Sequence, residues 1–228
     1  MIASMKSARL KRRLELERML GVDALLKGQG PAGHSRTLRG ELKKLEDEVK
    51  RCTRCRLYES RTQGVTARGN PAAELMFIGE APGRDEDEQG LPFVGRAGKL
   101  LDKMIAAMGL TPDDVYVTNI IKSRPPENRE PRADEIEACL PYLERQIELI
   151  QPRIICTLGR PATNGLLGMN KAMGELRGRW FSYKGVPVLP TYHPAYLLRS
   201  PTQKRIAWQD LKRIVLALRG VKSPEVCR

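Results

Sequence analysis

Four short segments that are apolar or β-branched at nearly every position recur along this chain: Leu75 to Gly79, Val115 to Asn119, Arg153 to Leu158 and Val186 to Pro190. Stretches of helical periodicity separate them, around Ala97 to Met108, Ala133 to Ile150 and Pro161 to Leu167, with a last one from Gln203 to Arg219. A strand with no polar alternation is covered on both faces, and strands that alternate with helices pair in parallel. The pattern therefore predicts an α/β chain with a parallel sheet under helices on both faces. Such sheets bind ligands beyond the carboxyl ends of their strands, which directs attention to the loops after these four segments.

The 228 residues suffice for one sizeable core and a small extension. Residues 1–40 read as a basic extension, 41–220 as the folded domain and 221–228 as a tail. In the extension Arg9, Lys11, Arg12, Arg13 and Arg18 interleave with Leu10, Leu14, Leu16 and Leu20, which suits a short amphipathic helix. It reads either as an arm that contacts DNA or a partner protein, or as a weakly ordered tail. Gly28, Gly30, Pro31 and Gly33 mark a break, and a helical pattern from Glu41 to Arg51 with Leu42, Leu45 and Val49 on one face leads into Cys52.

Forty basic residues against 27 acidic ones give a net charge of +13. Such a surface attracts polyanions, of which nucleic acid is the commonest, although a merely solvated basic surface accounts for the charge equally well. No apolar run has the length of a membrane span and no signal-peptide pattern follows the basic N-terminus. The expectation is a cytoplasmic protein without a membrane partner.

Three of the four strand-end loops carry unusual polar residues. The first runs from Gly79 and Glu80 through Ala81, Pro82 and Gly83 into the acidic run Asp85 to Glu88, then to Pro92, Phe93 and Gly95. Its glycines and proline bring backbone close to a ligand, and a carboxylate beside a polyanion is costly unless it does chemistry. The second begins at Asn119, whose amide places a donor beside an acceptor. That pair suits the N3–H and O4 edge of uracil and mismatches cytosine. The third is His193-Pro194-Ala195-Tyr196-Leu197-Leu198-Arg199, where a histidine stands beside apolar residues and an arginine.

Cys52-x2-Cys55 with the remote Cys139 and Cys156 suits either zinc or a [4Fe-4S] cluster, since both accept four thiolates. Spacing does not choose between them, and it leaves Cys227 unassigned. Cys156, inside an apolar strand, is also readable as a buried core cysteine.

Together these pieces resemble the family 4 uracil-DNA glycosylases, the iron-sulfur branch of the uracil-DNA glycosylase superfamily, over roughly Glu41 to Gly220. The matching motifs are Cys52-x2-Cys55, Gly79 to Gly83 with Glu86-Asp87, Leu91 to Gly95, Thr118-Asn119, Cys139, Cys156 and His193-Pro194. The resemblance implies a three-layer α/β/α fold around a four-stranded parallel sheet. It also implies a [4Fe-4S] cluster on Cys52, Cys55, Cys139 and Cys156. Where the family 1 enzymes place a catalytic Asp and a thymine-excluding Tyr, this chain has Ala81 and Gly83.

The resemblance further implies a monofunctional uracil-DNA glycosylase, a monomer acting on single- or double-stranded uracil-containing DNA in the nucleoid, that leaves an abasic site for base excision repair. Uracil flips into the strand-end pocket. Phe93 stacks on it, Asn119 reads its edge, and the Glu80-Ala81-Pro82 backbone forms a wall. His193 stabilises charge on O2, and a carboxylate, Glu80 first and Glu86 second, orients the water. Leu197 is the expected wedge in the vacated stack, with Tyr196 able to do the same job, and Arg199 the expected phosphate contact. The rivals are a glycosylase of other base preference and an iron-sulfur DNA-binding protein without the activity.

Overall fold

A computed structural model of the chain describes residues 32–221 and Val226. The chain divides into two compact units, Met1–Thr37 and Leu38–Arg228, and the second of them carries the sheet and the loops of interest. The expected amphipathic arm around Arg9 to Leu20 and the unassigned Cys227 lie outside the described residues.

One six-stranded sheet organises the fold. Its strands are β1 (Ala67–Gly69), β2 (Leu75–Gly79), β3 (Val115–Asn119), β4 (Ile154–Leu158), β5 (Phe181–Tyr183) and β6 (Val186–Thr191), in the order β1-β3-β2-β4-β6-β5. The inner four are parallel to one another, as expected. Two three-residue strands, β1 and β5, add antiparallel edges that the sequence pattern did not reveal. Strands this short carry no alternation to read. The β5–β6 turn is nonetheless visible afterwards, because Lys184 and Gly185 both have positive φ, the two-residue hairpin geometry that glycine favours.

The helices are α1 (Ala32–Lys50), α2 (Arg84–Gln89), α3 (Arg96–Ala107), α4 (Ala133–Ile150), α5 (Arg160–Leu167), α6 (Met173–Leu176), α7 (Pro194–Arg199) and α8 (Lys204–Leu218). The first begins well ahead of the expected Glu41 and runs through Gly33 and Gly40. Single glycines cost a helix only about 1 kcal/mol each, so they do not enforce a break. Among the described residues, no helix is long and apolar enough to cross a membrane.

Successive strand residues face opposite sides, and the sheet separates two cores. On one face Phe77, Val117, Cys156 and Leu158 pack with Leu101, Ile105, Leu197, Leu211 and Ile214 from α3, α7 and α8. On the other, Met76, Ile78, Tyr116 and Ile155 pack with Cys139, Leu143 and Ile147 of α4 and Leu166 of α5.

Buried polar groups tie the strand ends to the helices. Lys122 Nζ donates to Asn119 O at 2.7 Å, Thr118 Oγ1 at 2.8 Å and Gln146 Oε1 at 2.6 Å. Asp210 of α8 accepts from Thr191 Oγ1 at 2.9 Å and from Arg177 Nη2 at 2.5 Å, pinning the end of β6. Removing one partner from a mostly buried ion pair leaves the other charge uncompensated. Asp210→Ala is therefore expected to cost about 3 kcal/mol, read as a lower denaturation midpoint. An unchanged midpoint would show the pair to be structurally idle.

Candidate active site

The carboxyl ends of β2, β3, β4 and β6 form one rim, where Asn119, Phe93 and His193 come together, while Glu80 lines a neighbouring cavity that none of these three borders. Gly79 ends β2 directly opposite Asn119 at the end of β3. The parallel pairing continues beyond them, with Ile120 N donating to Gly79 O at 2.8 Å and Ile121 N to Glu80 O at 3.1 Å. A Cβ at position 79 would stand 2.4 Å from Asn119 Oδ1 and 2.5 Å from Phe93 Cζ. Only glycine lets the amide of β3 and this ring come together.

Asn119 is 2% exposed, and its Oδ1 is a buried acceptor with no hydrogen-bond partner among the described residues. Leaving such an atom unpaired costs about 1–3 kcal/mol. The atom is thus placed to accept from a hydrogen-bond donor brought to the rim. Beneath the asparagine, Lys122 holds the main-chain carbonyl and so fixes the residue's position.

Phe93 adopts φ 57°, a left-handed conformation that strains a bulky residue. Glu86 explains how it is held. Its Oε1 accepts from Val94 N and Gly95 N, each at 2.9 Å, and its Oε2 accepts from Gly83 N at 3.1 Å. Both carboxylate oxygens are thereby committed to backbone, clamping the segment after Phe93 to the start of α2. This corrects the expectation of Glu86 as an alternative catalytic carboxylate: it braces the loop. Asp87 likewise is buried and accepts from Thr62 N and Gln63 N. Two of the four consecutive acids are therefore scaffold.

Glu80 differs. Its carboxylate makes no hydrogen bond or salt bridge among the described residues, and it lines a cavity with Ile120, Glu130, Ile136, Arg160 and Asn164. Burial first, then the charge of Glu130, push its pKa up to about 7, against the opposing pull of Arg160. Ala81 is half-buried and Pro82 buried in the turn after it.

His193 caps α7, its Nδ1 accepting from Ala195 N at 3.1 Å. An accepting Nδ1 leaves the proton on Nε2. Burial, assisted by Arg199, lowers the imidazole pKa to about 4, so the ring is neutral at pH 7. Its centroid is 5.6 Å from that of Phe93. Gly159, with φ 91° at the end of β4, makes room behind it, since a Cβ there would meet His193 Cβ at 3.1 Å.

On α7 the expected wedge is corrected. Leu197 is 1% exposed and belongs to the core with Phe77 and Leu101, so it has no surface to insert between bases. Tyr196 is exposed, its ring 5.0 Å from that of Tyr192, and Arg199 is exposed at the helix end.

The cysteines divide. Cys52, Cys55 and Cys139 gather where α1 and α4 meet the β3 loop. Cys139 packs in the same core as Cys55 and is close enough to both Cys55 and Cys52 for their charges to act on it. Cys156 is on the opposite face of the sheet, and burial raises its thiol pKa well above the ordinary value. The expectation of Cys156 as a fourth ligand is thus corrected: strand alternation turns it away from the other three. Among the described residues no three His, Cys, Asp or Glu side chains converge tightly enough to hold one metal ion. A cubane places each thiolate on a different iron, so its ligands stand further apart than those of a single ion. Three of the four thiolates expected for a cluster fit this corner.

Sequence reasoning gave no role to Lys122 or Asp210, and it named Gly79 and Asp87 only as members of the first strand-end loop and its motif. For Glu86 a signal exists in the Gly83-x-x-Glu86 spacing, which is that of a helix capping box. For the buried lysine and Asp210 none does: Lys122 has two acceptors within four residues but is completed by the remote Gln146, and Asp210 depends on Thr191 and Arg177, both far away in the chain.

The family model described as the uracil DNA glycosylase superfamily matches residues 66–212. A type-4 uracil-DNA glycosylase of Sulfurisphaera tokodaii is 48% identical over 76% of this chain and 83% of its own length. Proteins of the same name from Archaeoglobus fulgidus and Thermotoga maritima are 42% and 41% identical. These alignments cover 78% and 74% of this chain, and 92% and 90% of the respective relatives.

Proposed function

The chain belongs to the uracil DNA glycosylase superfamily, and on that premise we propose that it hydrolyses the N-glycosidic bond of uracil flipped out of DNA. It leaves an abasic site and so opens base excision repair. The observation that carries this reading is the buried, unpartnered Oδ1 of Asn119, held over Gly79 beside Phe93 and His193.

Uracil N3–H donates to Asn119 Oδ1, and the amide nitrogen donates to O4. Cytosine presents an acceptor at N3 and a donor at C4, so both contacts turn repulsive. Phe93 supports the base from below, and Ala81 and Pro82 close the side. As the bond lengthens, the sugar gains oxocarbenium character and the departing base gains negative charge. His193 donates from Nε2 to O2, and because the ring is already neutral and oriented it needs no reorganisation. Glu80, as carboxylate, orients the water and favours the cationic sugar. Lys122 has its Nζ held by three acceptors, which suits a monofunctional hydrolase without an amine intermediate.

Tyr196 takes the place left in the stack, and Arg199 meets a phosphate. The basic arm before Leu38 adds attraction for single- or double-stranded DNA or contacts a repair partner, and the protein works as a monomer where the chromosome lies. Cys52, Cys55 and Cys139 would hold an iron-sulfur cluster, which cross-links the segment after α1 to α4.

Uracil excision by wild type, Glu80→Gln and Glu86→Gln tests the assignment. With its pKa near 7, Glu80 gains its charge progressively through neutrality, so kcat/KM should rise with pH through about 7. Glu80→Gln should lose about 10²–10³-fold in kcat together with that acid limb. Glu86→Gln should keep the limb and instead lower thermal stability. An unaltered pH profile in Glu80→Gln would remove Glu80 from the chemistry.

A further inference from the structure

The four-cysteine set divides at the sheet, which leaves Cys52, Cys55 and Cys139 in need of one more donor, since a cubane takes a protein ligand at each of its four irons. Their surroundings supply one. Ser123 is 4% exposed and directly follows Lys122, whose backbone N–H donates to the Cys139 thiol. Ser123 Oγ accepts from Arg61 Nη1 at 2.8 Å. Nη2 of the same guanidinium holds the carbonyls of Val49 at 3.0 Å, Lys50 at 2.8 Å and Cys52 at 3.1 Å. One planar cation therefore ties the serine oxygen to the turn that presents Cys52.

Resting on the reading that this chain carries a cluster, we propose that Ser123, and not Cys156, occupies its fourth corner. On ligation the Oγ–H bond breaks, the proton passes to solvent, an Oγ–Fe bond forms and no electron moves. Oxygen is a harder donor than sulfur and holds iron of a sulfide cluster less firmly than thiolate does. One iron is thereby made different from the other three. One-electron oxidation by ferricyanide releases it as Fe²⁺ and leaves a three-iron cluster on the cysteines.

The test uses the full chain loaded anaerobically with sulfide and equal amounts of ferric and ferrous iron. Iron and acid-labile sulfide per chain are measured, and electron paramagnetic resonance follows ferricyanide treatment. Cys156→Ala and Cys227→Ser should keep the wild-type iron content. Ser123→Ala should hold about a quarter less iron before any oxidant is added and give the full three-iron signal at the first equivalent of ferricyanide. Ser123→Cys, a conservative variant that preserves the fold, should resist ferricyanide several-fold longer than wild type. Loss of iron in Cys156→Ala or Cys227→Ser, with both Ser123 variants matching wild type, would overturn the assignment. A wild-type chain that binds no iron would overturn it together with the cluster reading, while uracil excision, assayed separately, reports on the glycosylase reading alone.

Discussion

Asn119→Ala is expected to lower kcat/KM for uracil excision by about 10²–10³-fold, because a flipped base would then bury its N3–H and O4 without partners. The pocket is built around one orphan acceptor, and the loss of that acceptor is felt only when a base is present. Protein stability should therefore change little or even rise, since an unpaired buried oxygen disappears with the side chain. Asn119→Asp separates the two halves of the contact. It keeps an acceptor for N3–H and loses the donor to O4, so the preference for uracil over cytosine should narrow. Single-turnover excision from matched uracil- and cytosine-containing oligonucleotides measures both effects. An unchanged ratio of the two rates in the aspartate variant would mean that the base is read elsewhere.

His193→Ser should reduce kcat by about 10²–10³-fold, the usual consequence of deleting one donor to a developing oxyanion, with KM nearly constant. Serine is the informative replacement because His193 has a second role as the N-cap of α7. A serine hydroxyl performs that capping well, so the helix bearing Tyr196 and Arg199 stays in place while the donor to O2 is lost. Since the imidazole titrates near 4, its removal should leave the limb near pH 7 where Glu80 puts it. A parallel rise in KM would instead assign His193 to ground-state binding.

Legibility in the sequence tracked the range of the interactions. β2, β3 and β4 could be read because each is buried on both faces along its whole length, and β6 because all but its first two residues are. Asn119, Phe93 and His193 could be placed at strand ends, since topology alone delivers strand ends to one rim. The same uniform burial hid the orientation of Cys156: an apolar strand carries no mark of which residues face which helix, and only packing against α3 and α8 reveals it. Leu197 failed for a related reason. One turn of helix with apolar residues on every side looks the same whether it is pressed on a core or offered to DNA. Glu86 and Glu80 were indistinguishable as letters, and became distinct once three backbone amides were seen to occupy one of them.

Ser123 gave no signal at all. A serine in a basic, proline-rich loop reads as a turn residue, and its role depends on Arg61, far away in the chain.

The close approach over Gly79 bears on how such a pocket can change. A methyl group at position 79 would collide with the amide proposed to select the base and with the ring proposed to support it. Any side chain introduced there would move both at once, so recognition and support cannot be altered independently from beneath. New base preferences, whether reached by selection or by engineering, have to be sought on the open side of the pocket, along the turn from Glu80 to Pro82. The floor is the part that descendants of this chain inherit unaltered, and the wall is where they are free to diverge.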